Sequence, residues 1–161
     1  MAHTYSQMYI HCVFSVKVRE NIISKKWNVE LYKYICGIVN NNQQKIYSIN
    51  GMPDHLHILI SIRPNVSFSD LIREVKASSS KWINTNKLVK GKFIWQEGFS
   101  SFSVSHSQLD KVIAYINNQE IHHQTKTFQQ EYIEFLKSHK IEYDERYVFD
   151  LNDDDVAPTG L

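Results

Sequence analysis

Residues 52–62, MPDHLHILISI, decide the fold. Pro53-Asp54 is a turn signal, the eight residues after it are dominated by aliphatic and β-branched side chains, and Pro64 closes the run, so 55–62 reads as a strand. Successive side chains on a strand point to opposite faces, which sends His55 and His57 to one side and Leu56 to the other. Two imidazoles on one face can hold a divalent metal. A bare H-x-H is equally what two hydrogen-bonded polar residues look like.

Upstream, Lys45–Ile49 forms the preceding strand, with Asn50-Gly51 as a further turn signal. Residues 8–17, MYIHCVFSVK, alternate as another strand: Ile10, Cys12, Phe14 and Val16 make an apolar face, opposite Tyr9, His11, Val13 and Ser15. Between them Trp27, Leu31, Tyr34, Ile35 and Ile38 recur at helical spacing over 25–39, and the polar run NNNQQK ends that helix. Downstream, Ser67 with Asp70 opens a second helix, whose core face is Leu71, Ile72, Val75, Trp82 and Ile83. Residues 86–101 read as a loop and 102–105, FSVS, as a short strand. Ser105 with Gln108 predicts the start of a helix to His123, and Thr127 with Gln130 the start of a last helix to Ser138.

The order is β-α-β-β-α-β followed by two helices, an α+β ferredoxin-like pattern with an addition. It predicts one antiparallel sheet with helices on one face and the other face left for a ligand, a site or a second subunit. With 161 residues the chain fits one domain, expected over 1–148, and an acidic, disordered tail over 149–161.

The net charge of +1 conceals a division. Residues 1–92 hold 13 Lys+Arg against 5 Asp+Glu (+8), whereas 93–161 hold 5 against 12 (−7). A basic region of this kind suits polyanion binding despite the neutral average. The longest apolar runs fall far short of the ~20 residues of a bilayer span. The N-terminus lacks a charged segment followed by an apolar run, and Cys12 and Cys36 offer no C-x-x-C spacing. No membrane association, signal peptide, disulfide framework or cysteine zinc site is expected, and a reducing, cytoplasmic setting is.

Tyr115 and Gln119 are spaced i, i+4 on the predicted third helix, at the border of its stripe of Leu109, Val112, Ile113 and Ile116. An H-x-H strand followed about sixty residues later by Y-x-x-x-Q on a helix resembles the single-tyrosine HUH transposases (H, hydrophobic, H). These are the enzymes of the smallest bacterial insertion sequences and their REP-associated relatives. KASSSKWIN, FIWQEGFSSFSVS, VIAYINNQEIHH, TFQQEYIEFL and YDERY carry the likeness over roughly residues 5–148.

The resemblance implies that His55, His57 and Gln119 bind Mg²⁺ or Mn²⁺. It implies that Tyr115 attacks a DNA phosphodiester to give a 5′-phosphotyrosine and a free 3′-OH. The bond energy stays in that intermediate, so no nucleotide cofactor is needed. The implied substrate is single-stranded DNA with hairpins at the element ends, handled by a homodimer because one tyrosine per chain cannot cut two ends. A domesticated relative acting on repetitive genomic hairpins, or a non-catalytic nucleic-acid-binding module, are the alternatives. Lys17, Arg19, Arg73, Lys76, Ser80 and Lys81 are the candidate DNA contacts. Trp95 and Phe99 are candidates for base stacking, with core packing favoured for Trp95. His122 or His123, within one turn of Gln119, is a candidate support for the ligands, and His11, on the face of Tyr9, is either near the metal site or simply a polar-face residue. No general base is evident.

Overall fold

The computed structural model describes residues 3–17 and 22–144. Its elements are β1 (Met8–Ser15), α1 (Asn28–Asn41), β2 (Lys45–Met52), β3 (His55–Ile62), α2 (Phe68–Thr85) and β4 (Ser100–Val104), then a 3-10 turn at His106–Gln108, α3 (Leu109–Asn117), α4 (Gln119–His122) and α5 (Phe128–Ser138). The four strands form one antiparallel sheet in the order β2-β3-β1-β4, the split pattern read from the sequence. Arg19 and the acidic tail beyond 148 lie outside the described residues. Among the described residues no helix is long and apolar enough to cross a membrane.

β3 is central and its first six residues are buried, so both of its faces must be covered. Leu56, Ile58 and Ile60 pack with Cys12 and Phe14 of β1 against Leu31, Ile35, Leu71, Ile72, Val75 and Ile83 of α1 and α2. Ser67 caps α2 as predicted, its hydroxyl accepting from the Asp70 amide.

The opposite face is not left free. Val13 and Phe102 lie under Phe128, Tyr132 and Leu136 of α5, and Leu59 lies under Leu109 and Ile116 of α3. Val13, set beside His11 as part of the polar face, is in fact fully enclosed. The C-terminal helices are a third layer, and the histidine face of β3 looks into it.

Two local expectations change. Asn50-Gly51 is not a turn: β2 continues to Met52, and Pro53-Asp54 alone joins it to β3. Gly51 is required there by close approach, since a Cβ at that position would sit 2.2 Å from the His55 carbonyl oxygen. Asn50 instead donates from Nδ2 to the carbonyls of Ile116 (3.0 Å) and Asn117 (3.3 Å), which otherwise lack partners at the end of α3. Ser48 adds a bond to Asn117 Oδ1 at 2.9 Å, so β2 fixes the helix that carries Tyr115.

The predicted helix 105–123 is also interrupted. Ser105 makes no capping bond, its hydroxyl meeting Ser107 at 3.1 Å, and the helix breaks at Asn118 between α3 and α4. The box at Thr127 and Gln130 forms in full.

Gly51→Ala is expected to lower stability by about 2–3 kcal/mol, read as a reduced urea midpoint. An unchanged midpoint would mean that the β2–β3 hairpin tolerates the extra carbon.

Candidate active site

β3 carries His55 and His57 onto the face beneath α3–α5, with no solvent exposure for either ring. Imidazole buried in this way needs a partner on each nitrogen. Asp54, the last residue of the hairpin turn, accepts from His55 Nδ1 at 2.7 Å. The other ring nitrogen, Nε2, faces Gln119 Oε1 at 3.3 Å. His57 Nε2 lies 2.7 Å from Glu131 Oε1, and its Nδ1 lies 2.8 Å from Nε2 of His11 on the neighbouring strand.

Tyr115 comes from α3, and its hydroxyl donates to Glu131 Oε2. His123 Nε2 stands 3.4 Å from that same oxygen and 3.1 Å from Gln119 Oε1. The His122 ring lies 4.5 Å from that of Tyr115. The sequence-predicted His55, His57, Tyr115 and Gln119 therefore converge, all within one chain. Tyr115 and Gln119 do so across the break at Asn118 rather than along one continuous helix. Gln119 is fully buried, not at a solvent border.

One member was missed. Glu131 lies inside the quoted stretch TFQQEYIEFL, and its carboxylate on the buried side of α5 was the available signal. Its oxygen and the two histidine nitrogens lie within 4.8 Å of one another, a grouping able to hold a metal ion. Of the two readings open for His11, near the metal site or merely on the polar face, the contact with His57 selects the first. Nitrogen and oxygen donors with no thiolate suit Mg²⁺ or Mn²⁺ chemistry, so the residues present fit such an ion.

Burial sets the charge states. It pushes His57 down to about 4 against the partial rescue of the Glu131 bond, and drives His11 well below its ordinary value. For Glu131, burial would raise the carboxyl, but bonds from His123 and His57 reverse this and hold it far below the usual range. Tyr115 is pushed far above its ordinary value, by burial first and then by its bond to the Glu131 carboxylate.

On the other side of the sheet, Arg73, Lys76, Ser80 and Lys81 line one groove of about 800 Å³ between α2 and residues 92–99, together with Lys92. Lys81 is exposed, whereas Arg73 pairs with Asp70 at 2.8 Å. The Lys76 ammonium is committed to the carbonyls of Gln96 (2.5 Å) and Gly98 (2.6 Å). Ser79, next to Ser80, is buried and accepts from Trp95 Nε1 at 2.9 Å, and Trp95 is core. Lys17 joins the 92–99 segment through its amide, which donates to Ile94 O at 3.0 Å.

The family model described as transposase, IS200 like, matches residues 4–119. The transposase TnpA of the element ISDra2 from Deinococcus radiodurans is 22% identical over 118 residues, covering 70% of this chain and 84% of the relative. A transposase crystal structure from Deinococcus radiodurans superposes with a TM-score of 0.60 at 19% identity, covering 74% of this chain and 95% of that one. A REP-associated tyrosine transposase bound to a REP hairpin gives 0.59 at 16% identity, covering 76% and 73%. The matched segment ends at Gln119, so α5 and Glu131 lie beyond it.

His57 is held neutral in the folded chain, so its contribution to stability is complete above pH 6.5 and is lost as pH falls through about 4. In the metal-free chain this loss should amount to at most roughly 3 kcal/mol. In His57→Gln that part of the slope should vanish. Equal slopes in urea titrations of the two proteins would refute it.

Proposed function

The chain belongs to the IS200-like family of single-tyrosine HUH transposases, and we propose that it cleaves and rejoins single-stranded DNA at the ends of an insertion sequence by transesterification through Tyr115. The observation that carries this reading is the single buried cluster in which Tyr115, Glu131, His57, His55 and Gln119 meet. His55, His57 and Gln119, with the Glu131 carboxylate beside them, would hold Mg²⁺ or Mn²⁺. A divalent ion bound there would polarise the scissile phosphate and offset the charge that develops on it.

Tyr115 Oη attacks phosphorus, a phenolic O–P bond forms, and the bond to the 3′-oxygen breaks. The phenolic proton passes to Glu131 Oε2, the acceptor already in contact, and on to solvent, which returns one to the departing 3′-oxygen, so no net proton is released. The product is a 5′-phosphotyrosine, and attack by a new 3′-OH reverses the step.

Lys81 and Lys92 at the groove rim are suited to the DNA backbone. A hairpin is the natural form of the substrate, as in the REP-hairpin complex of the structural relative. Excision cuts two ends and each chain has one such tyrosine, so two chains act together. No observation favours a domesticated or non-catalytic role over this reading.

Tyr115→Phe should abolish the covalent adduct on hairpin DNA while Mn²⁺ binding is unchanged. An adduct that survives on a denaturing gel would remove Tyr115 as nucleophile. Lys81→Ala should weaken hairpin binding at every sequence and reduce the salt slope by about 1. An unaltered slope in fluorescence titrations over salt would place the DNA elsewhere.

A further inference from the structure

His11 has no role in the chemistry above, yet it is 2% exposed and sits within a shell of aromatic rings. Phe135 meets it edge-on at 5.1 Å between centroids, Phe102 lies at 6.0 Å and Tyr115 at 6.4 Å. An imidazole buried among rings costs free energy that a Phe or Leu at this site would not. Its Nε2 is directed at Nδ1 of His57, 2.8 Å away. The contact follows from register: His11 pairs with Leu59 across the β1–β3 ladder, so it is the diagonal neighbour of His57 on the same face.

The direction of this bond is tied to the state of the opposite nitrogen. A neutral imidazole has one N–H and one lone pair. Without an ion, His57 Nε2 donates its proton to Glu131 Oε1, so Nδ1 is the acceptor and His11 Nε2 carries the proton. To ligate an ion through Nε2, His57 must move its proton to Nδ1, and His11 Nε2 must then be the acceptor. The partner on Nδ1 has to reverse its role, which a backbone carbonyl or a carboxylate cannot do and a second imidazole can. By contrast, Asp54 on His55 is an acceptor only, and fixes that ring in the ligating tautomer throughout.

We propose that His11 is the positioning residue of His57, and that the two rings exchange tautomers together when a divalent ion binds. This rests on the metal reading of the site given above. The net proton count of the pair is unchanged: the His11 Nε2 proton passes along the bond to His57 Nδ1, the proton displaced from His57 Nε2 by the ion leaves by way of Glu131 to solvent, and His11 Nδ1 takes one up from solvent.

Two measurements test it on the full chain. In the wild type, ¹⁵N imidazole spectra during a Mg²⁺ titration should show His11 Nε2 passing from protonated to unprotonated as His57 Nδ1 does the opposite. His11 Nε2 that stays protonated at saturating Mg²⁺ overturns the inference. In Mn²⁺ binding by calorimetry, His11→Phe should lose about 10–100-fold in affinity, and His11→Gln, which keeps an acceptor, should recover most of it. Wild-type affinity in the Phe variant, or an equal loss in both variants of unchanged circular dichroism, refutes the hydrogen-bond role. A wild-type chain that takes up no ion at all, with His55→Ala indistinguishable from it, refutes the metal reading and this inference together.

Discussion

The structure depends on the burial of two imidazoles on the central strand. His55 and His57 are excluded from solvent, and unpaired polar atoms in that position would each cost on the order of 1–3 kcal/mol. Their four nitrogens therefore dictate what surrounds them: Asp54 from the hairpin turn, His11 from the adjacent strand, Gln119 from α4 and Glu131 from α5. Each partner comes from a different element, so the sheet, the turn and the C-terminal layer must all be in place before the pair is satisfied. This is also why the α3–α5 layer can sit on a sheet face that carries polar side chains.

The same demand for partners poises the site. Bonds from His123 and His57 hold Glu131 far below the usual carboxylate range, and it faces His57 with one oxygen and Tyr115 with the other. A carboxylate so placed holds the Tyr115 hydroxyl in a fixed direction while disfavouring the phenolate. Asn50 and Ser48 of β2 hold the end of α3 against the sheet, so the position of Tyr115 is set by bonds to its own chain.

Much of this was legible in the residues. Alternation in 8–17 and 55–62, helical spacing in 25–39, the turn at Pro53-Asp54 and the caps at Ser67 and Thr127 located the strands and the main helices, because those signals are local, whereas Asn50-Gly51 and Ser105 misled. The pairing of His55 with His57 followed from strand period, and Tyr115 with Gln119 from spacing joined to a family likeness. What escaped was non-local. Glu131 is separated from His57 by 74 positions and is joined to it only by the docking of α5. His11 contacts its partner through β1–β3 register, which no single segment encodes. Gly51 looked like a turn residue, but its need is for space beside the His55 carbonyl. The covered sheet face was missed because Val13 and Leu59 alternate with histidines and serine, and only the amphipathic α3 and α5 reveal why that face is enclosed.

The central claim is that one chain brings together a divalent-ion site and its own nucleophile. Anomalous diffraction from crystals of the chain grown with Mn²⁺ tests it most directly. The account predicts a peak within bonding distance of His55 Nε2 and His57 Nε2, with Gln119 beside it and Tyr115 of the same chain adjoining. A peak on other residues, or a Tyr115 seated against a partner chain's histidines, would contradict it.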